Sequence, residues 1–235
     1  MDRPYIICHM VTSVDGKVTG DFLGLPECGR ATSVYYDINR TVKSNGFICG
    51  RVTMEGSFTQ GWYPDLSQYD SAKYPEKKDF IPDELSGFYA VAFDTNGKLG
   101  WKGNKIIDPD GDPGYDGAQI IEILSENVDG RYLSYLKEKG IAYIFAGEKE
   151  IDVKVALSKL KKLTGAHTLL LEGGSIINGA FQRADVIDEI SLVTAPVVAE
   201  KGDKSLFFDG ATSLLELIYS EMVDGVIVSK YNRKK

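Results

Sequence analysis

The sequence predicts an α/β fold with a mostly parallel central sheet and an antiparallel hairpin at its C-terminal end. Short apolar runs rich in β-branched residues alternate with segments in which apolar residues recur every three or four positions. That order is typical of parallel strands joined by helices. Near the end, Asp224-Gly225 separates two apolar runs, and this dipeptide is a strong hairpin signal. We expect a single domain over residues 1–235, although the length would also fit two small ones.

The individual elements follow from the same two patterns. Apolar runs predict strands at residues 5–14, 47–49, 90–93, 119–124, 141–145, 169–171, 186–193, 214–222 and 226–231. Helical periodicity predicts helices at residues 53–58, 131–139, 153–163 and from residue 175. A further helix is expected to start at a cap formed by Thr32 or Ser33 and to end near residue 44. Two polar excursions, at about 59–87 and 100–117, are long enough to shape the rim of a pocket.

The composition excludes several classes of function. The chain carries 34 Asp and Glu against 27 Lys and Arg, a net charge of −7, which argues against a general nucleic-acid or membrane surface. The three cysteines show no metal-ligand spacing, so no metal site is expected, and their odd number favours a reducing compartment. No run of 18 apolar residues occurs. We therefore expect a cytoplasmic protein that binds a small molecule.

The most informative segment is the turn after the predicted strand at 169–171. Glu172 follows that strand, and Gly173-Gly174-Ser175 then leads into a predicted helix. Glycines at the start of a helix let backbone N–H groups approach an anion closely, and a serine there would cap the helix or bind a phosphate. Glu172 is the sharpest candidate acid, because ligands of α/β sheets bind at the carboxyl ends of the strands. An ordinary strand-to-helix turn is the alternative.

A second turn repeats this arrangement. Gly50-Arg51-Val52-Thr53 also follows a predicted strand, and the planar guanidinium of Arg51 suits a phosphate. Two such turns in one sheet could hold the two ends of a dinucleotide. The alternative is that Arg51 is a solvated surface residue. His9 and His167 lack a nucleophile motif, so both are interpreted as structural.

These motifs resemble those of a known family. Residues 172–175, 178–181 and 186–190 are similar to the C-terminal half of the riboflavin-biosynthesis pyrimidine reductases, which belong to the dihydrofolate-reductase-like superfamily. Residues 13–18 resemble the S-x-D-G-K segment of that family, and residues 49–55 resemble its glycine-x-x-threonine turn. The resemblance implies a three-layer dihydrofolate-reductase-like fold and an NADPH cofactor.

The resemblance also implies roles for individual residues. The catalytic residues would be Glu172, Asp15 and Lys17. The cofactor would be bound by residues that follow four strands: Thr12, Gly50, Arg51, Thr53, Thr95, Gly173, Gly174, Ser175, Ile176 and Ile177. Asp37 on the first helix is a second candidate for substrate binding, although its register favours a helix-surface residue.

The resemblance is not complete. The L-T-x-R segment, whose arginine holds the ribose phosphate in relatives, has no match after Thr53. The H-x-E and P-C-x-x-C signatures of the zinc deaminases are also absent, so a stand-alone reductase is expected. The function predicted is reduction of a small heterocycle with NADPH, similar to 5-amino-6-(5-phosphoribosylamino)uracil reductase. The alternatives are a non-catalytic nucleotide-binding protein of the same fold and a dihydrofolate reductase.

The C-terminal hairpin predicts a homodimer. The hairpin carries more apolar side chains than one sheet face needs: Leu215, Leu217, Ile218, Val226, Ile227 and Val228. An exposed apolar patch of this kind usually binds a partner, and two-fold pairing is the commonest symmetry. Relatives of this family also pair through their sheets. The alternative is that the excursion at 59–87 folds over the hairpin within one chain.

Overall fold

The computed structural model of the protein describes residues 2–70 and 77–234, which contain nine strands and five α-helices. The strands are β1 (Tyr5–Thr12), β2 (Gly46–Gly50), β3 (Tyr89–Phe93), β4 (Gln119–Leu124), β5 (Ala142–Phe145), β6 (Thr168–Leu171), β7 (Glu189–Thr194), β8 (Leu215–Val223) and β9 (Val226–Arg233). The helices are α1 (Pro26–Thr41), α2 (Arg51–Met54), α3 (Gly130–Glu138), α4 (Val153–Thr164) and α5 (Ser175–Arg183). Residues 71–76 of the first excursion lie outside the described residues.

The chain divides into two compact units. One unit combines residues 5–43 with residues 168–234, and the other consists of residues 2–4, 44–70 and 77–167. Their chain segments are interleaved, because β1 and α1 pack with elements from the C-terminal third. The single domain expected from the sequence stays a prediction.

The unit of residues 5–43 and 168–234 has five strands in the order β6-β1-β7-β9-β8. The first three are parallel, with Cys8 opposite Leu171 and Ile190, and β9 and β8 continue the sheet antiparallel. Asp224 and Gly225 both have positive φ in the turn between β8 and β9, as the predicted hairpin requires. Helix α1 covers this sheet with a buried face that includes Cys28, Ala31 and Val34.

The unit of residues 44–167 contains four parallel strands in the order β5-β4-β3-β2. Its strands are buried almost throughout, as expected when helices cover a parallel sheet. Lys77–Phe80 runs beside the outer edge of β5, where Phe80 exchanges two backbone hydrogen bonds with Tyr143. The predicted α/β class, with mostly parallel strands and an antiparallel C-terminal hairpin, is confirmed.

Two predicted starts are wrong by three residues or more. Helix α1 begins at Pro26, not at Thr32 or Ser33, since proline at the first helical position is well tolerated. The hydroxyls of Thr32 and Ser33 instead donate to carbonyls four residues back inside the helix. Strand β7 begins at Glu189, three residues later than predicted, and Asp185 in the preceding turn has a left-handed conformation.

Candidate active site

Glu172 is a buried carboxylate at the carboxyl end of β6. Its side chain is 7% exposed, and the residues before it in β6 are buried hydrocarbon. The side-chain amide of Asn39, on α1, donates from Nδ2 to Oε1 of Glu172 at 2.6 Å. A buried carboxylate is costly unless it is hydrogen-bonded, and this contact offsets part of that cost.

The Gly173–Gly174 turn leaves the backbone bare at the start of α5. Gly173 has φ +92°, and a Cβ built there would lie 3.0 Å from Cε of Met10. Gly174 is the N-cap of α5 and makes no side-chain cap bond, and the peptide between the two glycines is cis. The first N–H groups of a helix have no partner within it, so this end of α5 presents donors beside Glu172.

Of the three residues after the two glycines, Ser175 and Ile177 are buried and Ile176 is exposed. The hydroxyl of Ser175 is buried and donates to the carbonyl of Ser205, and the N–H of Phe208 donates to the carbonyl of Ser175 at 3.2 Å. Ser175 therefore anchors the segment that follows β7, and the donors of this turn are backbone groups. Ile177 is buried, whereas Ile176 is 57% exposed.

The loop after β1 belongs to the same unit. Strands β1 and β6 are parallel neighbours, so their carboxyl ends lie at the same edge of the sheet. Thr12 ends β1 and is buried, with its Oγ1 3.4 Å from that of Thr194. The N–H of Ala199 and the hydroxyl of Ser13 bind Asp15 and hold the pKa of its carboxyl below the usual value. Lys17 donates from Nζ to the carbonyl of Asp203 at 2.9 Å.

Four predicted cofactor residues lie in the other unit, at the carboxyl ends of β2 and β3. Gly50 is the N-cap of α2, and it lies opposite Phe93 in the parallel pairing. Arg51 and Thr53 are both half-buried, and Arg51 forms an ion pair with Glu55. The carbonyl of Thr95 accepts hydrogen bonds from the N–H and the hydroxyl of Ser125. The structure thus brings these four residues to one edge of their sheet.

Two buried acids support this second edge. Burial raises the pKa of Asp94, while the N–H groups of Leu99 and Lys98 that donate to its Oδ2 act in the opposite direction. This carboxyl closes the turn that carries Thr95. Burial also raises the pKa of Glu122, in β4, well above its ordinary value, and Trp101 donates its indole N–H to that carboxyl.

Two asparagines that border the Glu172 turn were not among the site residues predicted from the sequence. Asn39 lies on the buried face of α1. The signal in the sequence is a polar residue at a position where the helical pattern calls for an apolar one. Asn178, on α5, is completely buried, and neither atom of its side-chain amide has a partner among the described residues. Its Nδ2 lies 3.8 Å from the position of a Cβ on Gly173. Asp37, by contrast, lies on the exposed face of α1 and pairs with Arg40.

The described residues hold neither a metal-binding cluster nor a membrane-spanning helix. Residues 2–70 and 77–234 contain no group of three or more His, Cys, Asp or Glu side chains placed to hold a metal ion. Within the same residues, no helix combines the length and the apolar character needed to cross a bilayer.

Comparison with known proteins extends this description. Residues 115–228 match the model of the RibD C-terminal domain. A protein of Aquifex aeolicus named 2,5-diamino-6-ribosylamino-4(3H)-pyrimidinone 5′-phosphate reductase is 27% identical over 206 residues, which cover 84% of this chain and 79% of that protein.

Solved structures show the same fold. RibD of Acinetobacter baumannii superposes with a TM-score of 0.67 at 19% identity, covering 99% of this chain but only 58% of the RibD chain. A pyrimidine reductase-like protein of Corynebacterium diphtheriae gives a TM-score of 0.69 at 16% identity, covering 99% of this chain and 92% of that one. The predicted fold class and the resemblance to the pyrimidine reductases are thereby confirmed, and residues 115–228 are similar to the RibD C-terminal domain.

Proposed function

We propose that this protein is an NADPH-dependent reductase of a phosphorylated ribosylaminopyrimidinone, the substrate class named for its Aquifex aeolicus relative, and that it serves riboflavin biosynthesis. One observation carries the proposal. The buried carboxylate of Glu172 stands directly before the bare backbone of Gly173–Gly174 at the start of α5. A charged group and free backbone donors at a strand end are the features that ligand sites of α/β folds use.

The cofactor fits the residues present. Gly173 and Gly174 place no side chain on the backbone that leads into α5, and Arg51 offers a cation at the second strand-to-helix turn. We assign cofactor binding to both turns and to the strand ends beside them: Thr12, Gly50, Arg51, Thr53, Thr95, Gly173, Gly174, Ser175, Ile176 and Ile177. When bound, a nicotinamide cofactor supplies the hydride, and the protein supplies orientation and electrostatics.

The two candidate carboxyls suit different tasks. Hydrogen bonds from Ala199 and Ser13 lower the pKa of Asp15, so this carboxyl is ionised at neutral pH and orders its loop. Glu172 is buried and lies beside backbone donors, so it is placed to bind the substrate and to exchange a proton with it. Lys17 supplies a cation on the same loop as Asp15 for an anionic part of the substrate.

Hydride transfer tests this function directly. NADPH oxidation is followed at rising enzyme concentration with the ribosylaminopyrimidinone 5′-phosphate, with its dephosphorylated form and with dihydrofolate. We expect rapid oxidation with the phosphorylated pyrimidinone and deuterium transfer from labelled NADPH to the product. Oxidation with dihydrofolate alone would identify a dihydrofolate reductase. Tight binding of NADPH without oxidation by any of the three would identify a non-catalytic nucleotide-binding protein.

We also propose that the protein is a homodimer. Strand β8 lies at the end of its sheet, and every residue from Leu215 to Met222 is exposed. Val226 and Val228 of β9 are buried, but Ile227 is exposed. An edge strand with exposed apolar residues promotes association unless a partner covers it. Light scattering at micromolar concentration should give twice the 25.9 kDa mass of one chain. Ile218→Lys should shift it towards a monomer, and a monomeric wild type would refute the proposal.

We propose a cytoplasmic location. Cys8, Cys28 and Cys49 are buried thiols, which suits a compartment where thiols stay reduced.

A further inference from the structure

We infer that Asn39 is a positioning residue, which holds the carboxylate of Glu172 in the orientation that the reaction needs. This inference rests on the proposed function, in which Glu172 contacts the substrate. Asn39 acts on the site through its hydrogen bond to Glu172.

The contact is short, buried and formed between distant parts of the chain. Asn39 Nδ2 lies 2.6 Å from Glu172 Oε1, and the two residues are 133 positions apart. Their exposed fractions are 5% and 7%. Both belong to the compact unit of residues 5–43 and 168–234. Such a bond excludes water and keeps one carboxylate oxygen in a fixed direction, whereas a solvated carboxylate would sample many.

Asn39 is a polar residue on the buried face of α1, and burying its amide costs free energy that the packing of the helix does not require. The buried residues of this helix before it, Cys28, Ala31 and Val34, are apolar. A leucine at position 39 would extend that face and bury more hydrocarbon. An asparagine buries an amide, and this amide is directed at the one carboxylate that ends β6. We therefore attribute the residue to the site and not to the packing of α1.

The chemistry of the amide supports the same conclusion. A lysine or arginine at this position would favour the charged form of Glu172, because an opposite charge stabilises a carboxylate. A neutral amide donates to one oxygen and so orients the carboxylate without placing a full opposite charge beside it. Asn39 therefore fits a role in orienting the carboxylate of Glu172.

Three variants of α1 test the inference in the full-length protein. Asn39→Ala should lower kcat about tenfold, while the KM for NADPH changes less than twofold, because the reacting geometry is lost and cofactor contacts are kept. Asn39→Asp places a like charge beside Glu172 and should move the midpoint of the pH profile of kcat upwards by about one unit. Arg40→Ala, the next residue on the exposed face of the same helix, should leave both quantities unchanged.

The outcomes separate this inference from the proposed function. If Glu172→Gln lowers kcat and Asn39→Ala does not, Asn39 has no positioning role and the proposed function stands. If the wild type oxidises no NADPH with the pyrimidinone phosphate, the proposed function fails on its own. A crystal structure of Asn39→Ala then decides the positioning role, because an unmoved Glu172 carboxylate would overturn it. Should Asn39→Ala not fold, Asn39→Ser keeps a donor group at this position and serves for the same measurements.

Discussion

Arg51 and Glu55 form an ion pair one helical turn apart, with Nη1 of the arginine 2.6 Å from Oε2 of the glutamate. Both side chains are about one-third exposed, so water screens the attraction. The guanidinium that we assign to a cofactor phosphate therefore already has an anionic neighbour. A bound phosphate would share Arg51 with Glu55 or displace it.

The first prediction concerns this competition. Glu55→Gln should strengthen NADPH binding about twofold, because a helical ion pair of this spacing contributes only about 0.3–0.5 kcal/mol. Arg51→Ala should weaken NADPH binding about tenfold or more, since hydrogen bonds to charged groups contribute about 1.5–3 kcal/mol. Calorimetric titration measures both effects. Equal affinities of the wild type and Arg51→Ala would show that this arginine is a surface residue without contact to the cofactor.

The second prediction tests the role of Glu172. Glu172→Gln keeps the size and the hydrogen bond from Asn39 but removes the charge and the exchangeable proton. We expect kcat to fall about 100-fold, a typical contribution of acid–base catalysis, with little change in NADPH affinity. Loss of NADPH affinity with normal turnover at saturation would place Glu172 in the cofactor site instead.

The third prediction separates the two glycines of the turn. Gly173→Ala should destabilise the fold by about 1–3 kcal/mol, because an alanine at φ +92° is strained and its Cβ meets Met10. Gly174→Val should keep the fold and weaken NADPH binding, since Gly174 has an ordinary extended φ of −78° and its backbone is needed for close approach. Denaturant unfolding and calorimetry together report both effects. Normal NADPH binding by Gly174→Val would make the turn purely structural.

The fourth prediction is a loss of stability in mild acid that depends on His9. This imidazole is buried and stacked on Tyr35, and its Nε2 lies 3.0 Å from the carbonyl of Tyr35, which only accepts. Nε2 therefore carries the proton, and Nδ1 accepts from the Ser191 hydroxyl. Desolvation lowers the pKa of His9 in the folded protein, although its hydrogen bonds act in the opposite direction.

The direction of this pH dependence follows from the difference in proton binding between the folded and the unfolded protein. Below its ordinary value of about 6.5, His9 takes up a proton in the unfolded chain before it does so in the fold. The stability it contributes is complete above that pH and is lost as the pH falls towards the lower folded value. The free energy of unfolding should fall by up to about 1.4 kcal/mol per pH unit in this window. His9→Gln should abolish that slope, whereas the exposed His167→Gln should retain it; an unchanged slope in His9→Gln would contradict the assignment.

The fifth prediction concerns the buried amide of Asn178. Among the described residues neither of its polar atoms has a partner, and an unsatisfied buried amide costs about 1–3 kcal/mol. Asn178→Leu should therefore raise the denaturation midpoint, because hydrocarbon of similar volume needs no partner. The matched change Gln182→Leu should lower it, since the amide of Gln182 bonds to Ala211 and Ser213. A destabilised Asn178→Leu would show that this amide is satisfied in solution.

Much of the fold was accessible from the sequence because it depends on local patterns. Strand β4 has the predicted bounds, and the hairpin turn has the predicted residues, since apolar runs and a D-G dipeptide report on neighbouring positions only. The start of α1 was misplaced because Thr32 and Ser33 can cap a helix or bond back inside one. The sequence shows that such hydroxyls are present but does not show which of the two bonds they form.

By itself the sequence determined the strand-to-helix alternation, the antiparallel hairpin and the glycine pair that follows Glu172. Only the tertiary structure decided what surrounds that pair. It placed Asn39 against Glu172 across 133 positions, directed the Ser175 hydroxyl to Ser205 and paired Arg51 with Glu55. The physical reason is that the periodicity of strands and helices is a property of adjacent residues. Which buried polar atoms meet depends on the packing of elements that are distant in the chain, and no short pattern encodes it.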